Sequence, residues 1–206
     1  MSEQRKVPKL RFPEFTDDWE QRKLRELGSF SKGKGYSKSD LRESGCPIVL
    51  YGRLYTDYCF SIKNVDTFAE KLPNSVISKG NEVILPASGE TAEEIARASA
   101  IMASGLILGG DLNIISPKEN LNSEFLALTI SNGHIQKELS QKAQGKSVVH
   151  LHNSDIEELN ISYPSKEEQN KISWHFFKLD NLITLHQRKL EVLKKLKKGL
   201  LQQMFV

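Results

Sequence analysis

The sequence predicts an α+β protein: one mixed α/β globular domain followed by a long C-terminal coiled-coil helix. Three observations carry that prediction. Short apolar runs bounded by turn residues fill positions 28–164, with no regular βαβ alternation and no internal repeat. A helical period runs through SEFLALTISNGHIQKELSQKAQ, residues 123–144. From Ser165 onward there is no proline and a single glycine, Gly199. With 206 residues, 38% hydrophobic and 27% charged, the chain suits one sizeable domain and an appendage.

The elements follow in order. Residues 1–16 are basic, carry Pro8 and Pro13, and read as an extended arm that docks through Leu10, Phe12 and Phe15. DDWEQRKLREL, residues 17–27, reads as a short helix with Asp17 or Asp18 as N-cap and Trp19, Leu24 and Leu27 facing inward. CPIVLYGRLY, EVILPAS, SGLILGGDLNIIS and IEELNISYP are rich in Ile, Val, Leu and Tyr and read as strands. Asn132-Gly133 breaks the helical stretch between them, so it is one interrupted helix or two short ones.

After Tyr163-Pro164, Ser165 and Glu168 form a capping-box signature. Steps of four and three then select Ile172, Phe176, Leu179, Ile183, His186, Leu190, Leu193, Lys197, Leu200 and Met204. That is a heptad seam interrupted by His186 and Lys197, which limit register and partner choice. At ~1.5 Å per residue the helix spans roughly 60 Å, more than the body of so small a domain covers. Either the seam packs on the chain's own body or its distal half pairs with another helix.

Charge and composition bound the function. Net charge is +3 and the pI about 8.7, which permits nucleic acid as a partner without demanding it. The two cysteines, Cys46 and Cys59, read as reduced thiols of a cytoplasmic protein. No window approaches 18 apolar residues, so no membrane role is expected. G-x-G-x-x-G, G-x-x-x-x-G-K-[ST] and G-x-S-x-G are absent. So are the [DE]-x-K triplet of metal-dependent nucleases and the adjacent prolines of adenine methyltransferases. His150-Leu151-His152 lacks a third ligand in register, so neither metal nor catalytic residues are expected.

What remains are basic and polar residues interleaved with aromatics. Lys32, Lys34, Tyr36, Ser37 and Lys38 form one cluster, read as a flexible basic loop. Arg53, Tyr55 and Tyr58 form a second, and Lys142, Gln144, Lys146 and Ser147 a third. Lysine and arginine neutralise phosphates; Gln, Ser, Arg and Tyr read base edges or stack. Ser88, Gly89, Glu90 and Thr91 make a further polar loop. Its carboxylate suits a cytosine amine, or the loop caps the helix ETAEEIARA. On the C-terminal helix, Arg188, Lys189, Lys194, Lys195, Lys197 and Lys198 stand against Glu191 alone, a solvated, nucleic-acid or docking face.

These stretches resemble one half of the DNA specificity subunit of type I restriction–modification systems. PKLRFPEFTDDWEQRKLRELG (8–28) is similar to the segment that begins each half of such subunits, and SKGNEVILPASGE (78–90) to a strand and loop inside the target recognition domain. GKSVVHLHNSDIEELNISYPSKEEQNKI (145–172) resembles the exit from that domain, and LDNLITLHQRKLEVLKKLKKGLLQQMF (179–205) the conserved spacer helix. The resemblance implies a non-catalytic DNA-recognition subunit, with residues 1–164 as the target recognition domain and 165–206 as the spacer helix. It implies double-stranded DNA as partner, together with methylation subunits that use S-adenosylmethionine and motor–nuclease subunits that use ATP and Mg; this chain would bind no cofactor itself. One recognition domain and one helix are present where the family has two of each, so the chain is a natural half-subunit or a fragment. Pairing of two copies through the helix would restore the arrangement and read an inverted repeat. The competing reading is a coiled-coil adaptor whose α/β body binds a protein; salt-dependent retention on duplex DNA discriminates the two.

Overall fold

The computed structural model describes residues 7–145 and 148–205. The chain divides into two units, Met1–Asn170 and Lys171–Val206.

The first unit is built on two five-stranded mixed sheets. One has the order Gly28–Lys32, Leu112–Pro117, Glu82–Pro86, Ser99–Ile101, Ser61–Ile62, antiparallel but for the last pair. Its central strand, Glu82–Pro86, is buried at every position, as a continuous apolar run demands. Glu82 is buried because its carboxylate accepts from the N–H groups of Lys79, Gly80 and Asn81 at 2.7, 3.0 and 3.1 Å. The other sheet has the order Leu41–Arg42, Phe68–Ala69, Cys46–Val49, Ser104–Leu108, Ile77–Lys79, with Cys46–Val49 and Ser104–Leu108 parallel. Val49, Leu106 and Leu108 from this sheet join Ile62, Ile84, Ile101, Leu112 and Ile114 from the first in one core, closed by Leu54.

The 123–144 stretch forms two helices, Ser123–Ile130 and Gly133–Lys142, broken at Asn132-Gly133 as its sequence predicts. Gly133 takes φ +66°, a left-handed conformation that costs glycine little. Asn122 caps the first helix by accepting from Phe125 N–H at 2.8 Å.

Four expectations need correction. Residues 17–27 are not one helix: Glu20–Lys23 is a strand antiparallel to Asn160–Tyr163, and only Leu24–Leu27 makes a helical turn. Leu24 and Leu27 are buried as expected. Trp19 is only half-buried, edge-on to Phe125 at 5.9 Å. Pairing with a strand about 140 positions away overrides local helix propensity. The run CPIVLYGRLY is strand only to Val49, and its second half is the short helix Arg53–Thr56. The run IEELNISYP is likewise divided, with Asn153–Glu157 helical and Asn160–Tyr163 extended. The N-terminal arm does not dock through Leu10, which is 90% exposed. Instead the Arg11 guanidinium donates twice, at 2.7 Å each, to the Glu168 carboxylate, which is 1% exposed. Two parallel bonds fix both position and angle, which an apolar contact does not.

The C-terminal helix runs Lys166–Met204, 39 residues. Ser165 Oγ accepts from Glu168 N–H at 3.4 Å at its start. Gln169 is buried there, donating to Asn120 and Pro164 carbonyls at 3.0 and 2.9 Å and accepting from Asn122 N–H at 2.8 Å. In the second unit, Phe176, Leu179, Ile183, Leu190, Leu193, Leu200 and Met204 of the seam are exposed, with His186 and Lys197 among them, while Ile172 is half-buried. Among the described residues no helix is long and apolar enough to cross a membrane.

Candidate nucleic-acid interface

The first basic cluster is not a flexible loop. Its backbone is laced to the turn joining the two sheets: Gly33 N–H donates to Leu112 O at 2.9 Å, Lys34 N–H to Leu108 O at 3.3 Å, and Gly110 N–H to Gly35 O at 2.5 Å. Gly33 permits this approach, since a Cβ there would lie 1.8 Å from Gly109 O. Beyond it, Tyr36 takes φ +56° and its hydroxyl donates to Glu70 O at 3.0 Å, accepts from Leu72 N–H at 2.8 Å and bonds Ser75 Oγ. A 3-10 turn, Lys38–Asp40, follows. The Ser37 N–H, then its hydroxyl, hold the Asp40 carboxyl below the usual carboxylate range. The result is that Lys32, Lys34 and Lys38 are exposed on a fixed backbone and, among the described residues, in no ion pair.

The second cluster divides. Arg53 opens its helix with its guanidinium engaged: it meets Asp57 at 2.7 Å and Asp66 at 3.2 Å, and its side chain is 19% exposed. Tyr55 is committed to the fold. Its hydroxyl donates to Ser88 O at 2.8 Å, and burial pushes its pKa well above the ordinary phenol value. Tyr58 donates to Ala98 O at 3.2 Å under the Arg97 guanidinium, 4.9 Å from the ring centre. Tyr51 and Tyr58 are both exposed, and Tyr51 packs edge-on against Tyr55 at 6.4 Å.

Tyr36, Ser37 and Lys38 of the first cluster and Arg53 of the second, distant in sequence, line one cleft of about 880 Å³ whose walls also include Tyr51, Asp66 and Asp111. Asp111 connects the cleft to the polar loop, accepting from Ser88 Oγ at 3.2 Å. The Ser88–Gly89 strand in turn pairs with Val149–His150. His150 bridges to Gln144 through two backbone bonds of 3.1 and 2.8 Å. Described members of the polar loop and of the third cluster, Ser88 and Gln144, are therefore linked to the cleft through neighbouring contacts. Glu90 and Gln144 are exposed and Lys142 is half-exposed at the end of its helix. Lys146 and Ser147 lie outside the described residues. Thr91 serves as a cap, its Oγ1 accepting from Glu94 N–H at 3.2 Å, so of its two readings the structure supplies the capping one.

Tyr51, Asp57, Asp66 and Asp111 line the cleft without having stood out in the sequence. Only the Tyr51-Gly52 pair, a turn glycine beside an aromatic, offered a local signal; the aspartates read as ordinary turn residues. Among the described residues, no three His, Cys, Asp or Glu side chains gather as a metal-binding set.

Comparison with known proteins gives this surface its context. The family model described as the type I restriction modification DNA specificity domain matches residues 16–195. The MjaVIII type I restriction enzyme specificity subunit of Methanocaldococcus jannaschii is 23% identical over 97% of this chain and 48% of its own length. The MjaIX specificity subunit of the same organism is 32% identical over 47% of this chain and 22% of its own. Among solved structures, the S subunit from M. genitalium aligns with a TM-score of 0.58 at 17% identity, over 85% of this chain and 42% of that one. The HsdS subunit from Thermoanaerobacter tengcongensis gives 0.56 at 14% identity, over 88% and 41%. The fold, mixed sheets with a long C-terminal helix, is shared. The chain belongs to the family of type I restriction modification DNA specificity domains. It spans about half the length of the first curated relative above.

Proposed function

We infer that residues 1–164 read double-stranded DNA as a target recognition domain, and that residues 165–206 are the spacer helix through which two copies pair. The observation that carries the DNA reading is the line of contacts from the cleft, through Asp111, Ser88 and His150, to Gln144, in a chain the specificity-domain family matches from 16 to 195. Lys32, Lys34 and Lys38 supply cations for phosphates; the exposed Tyr51, Glu90 and Gln144 supply groups that can stack on bases or read their edges. The pairing reading is supported by the exposed seam from Phe176 to Met204, whose apolar side chains need a second helix to leave water. An isologous pair presents two recognition domains to two inverted half-sites. In this reading the complex acts in the cytoplasm. Methylation subunits modify adenine with S-adenosylmethionine, motor–nuclease subunits cleave using ATP and Mg, and this chain sets the address.

The test is co-expression with a cognate methylation subunit, followed by mapping of methylated adenines on genomic DNA. A split palindromic motif is expected. An asymmetric motif would overturn the pairing of identical copies and keep the DNA reading. Absence of any sequence-specific methylation, with no retention of the purified chain on duplex DNA, would overturn both.

A further inference from the structure

The cleft is not a phosphate cradle. Two cations, Lys38 and Arg53, face three carboxylates, Asp57, Asp66 and Asp111, so its lining is acidic by one charge. A surface of that sign repels the DNA backbone at short range. Acceptor carboxylates in a DNA-facing cleft gain only where they meet a donor, and in the major groove a base donor is an exocyclic amine.

The carboxylates are also held in place. Asp57 ends the Arg53–Thr56 helix, its N–H donating to Arg53 O at 3.0 Å. Asp66 precedes Thr67, whose hydroxyl donates to Ile48 O at 2.6 Å and whose carbonyl accepts from Ile48 N–H at 2.9 Å. Arg53 lies between them, Nη2 on Asp57 and Nη1 on Asp66, with Leu54 beside it 1% exposed in the core. The Asp57 and Asp66 side chains are 71% and 90% exposed. Arg53 is spent on orienting two carboxylates that themselves look outward. This reverses the role its residue type suggests.

We propose that Asp57 and Asp66 are the specificity determinants of this cleft, one of the two accepting the single free hydrogen of a paired cytosine N4 amine in the major groove, with Arg53 as their positioning residue. Cytosine fits better than adenine. A carboxylate only accepts, and adenine places its N7 acceptor beside the N6 amine, whereas cytosine N4 stands without an acceptor on the same base edge. The inference rests on the DNA-binding reading above.

Selection of bound sites from a randomised duplex pool by the full chain, compared with Asp57→Asn, Asp66→Asn and Arg53→Lys, tests it. The wild-type site should contain an obligatory C·G pair. At least one Asn variant should relax that pair by roughly 5- to 150-fold and shift it toward A·T, because an amide both donates and accepts and matches adenine N6 and N7. Arg53→Lys keeps the charge but loses the planar fork, and should relax the same pair without changing the salt slope of binding. Unchanged selected sites in all three variants overturn the inference alone. A wild-type chain that selects no sequence overturns the DNA-binding reading and this one with it.

Discussion

Replacing Gly33 by alanine puts the geometry of the basic loop to a quantitative test. A methyl at that Cβ would sit 1.8 Å from Gly109 O, 2.9 Å from Gly109 C and 3.1 Å from Leu108 O. All three are backbone atoms of the turn between the sheets and the strand end before it, so no side-chain rotation relieves the clash. The loop must lift away, and three backbone bonds anchor it there: Gly33 to Leu112, Lys34 to Leu108 and Gly110 to Gly35. At ~1 kcal/mol net for each bond, their loss costs about 2–3 kcal/mol. For a chain of this size that is roughly 4–12 °C in Tm. Urea and thermal unfolding, followed by circular dichroism, measure it directly. Gly52→Ala is the matched control, since nothing lies within 4 Å of its Cβ and its φ of −59° is helical; it should stay within about 0.5 kcal/mol of wild type. Because the lifted loop carries Lys34 and Lys38, duplex affinity should fall in parallel with stability. A Gly33→Ala protein as stable as Gly52→Ala, with unchanged DNA binding, would refute the packing of loop on turn.

Three further outcomes are expected. Lys32→Ala and Lys34→Ala should each reduce the slope of log affinity against log salt by about one, with the preferred sequence unchanged, if these exposed amines meet phosphates; binding titrations at several salt concentrations decide it. Leu193→Asp places a charge in the exposed seam and should weaken self-association by roughly tenfold or more, leaving the Tm of the first unit unchanged; analytical ultracentrifugation reads the first effect and calorimetry the second. Glu158 accepts from Lys23, and from Arg25 at 2.6 Å, and the Lys23 bond, with the two positive charges, holds its carboxyl below the usual range. Its folded-state pKa is therefore depressed. The stabilisation is complete above the unfolded value near 4.5 and is lost as pH falls through the folded value. Glu158→Gln should lower the urea midpoint at neutral pH, where the stabilisation is complete, and converge with wild type at acid pH, so that its midpoint is flatter across that window.

Which parts of the molecule were legible depends on how local their determinants are. The closing helix was readable because every contributor to it lies within a few residues: Ser165 as cap, no proline, and a heptad period sustained to Met204. The break at Asn132-Gly133 was readable for the same reason. The EVILPAS stretch was readable as a strand from its apolar run after Glu82, and Glu82–Pro86 is one. Residues 20–23, by contrast, carry no apolar pattern, and only a partner strand at 160–163 makes them extended. Arg11 looked like one more basic residue of an exposed arm, and nothing near it in sequence signals that Glu168 waits in a buried position.

The candidate interface divides along the same line. Residue types alone identified the clusters at 32–38, 53–58, 88–91 and 142–147, because basic and polar residues among aromatics in turn-rich stretches have few buried fates. Sequence alone also determined the class of architecture and the long seam, both products of short-range periodicity. Tertiary structure decided which members of each cluster face outward. Tyr55 and Tyr36 were drawn into hydrogen bonds with strands and loops far along the chain, Arg53 was enclosed by Asp57 and Asp66, and Tyr51 was left exposed beside them. The physical reason is that a polar side chain's role is set by which partners come within about 3 Å of it. Those partners come from strand pairings and sheet order, which no window of neighbouring residues contains.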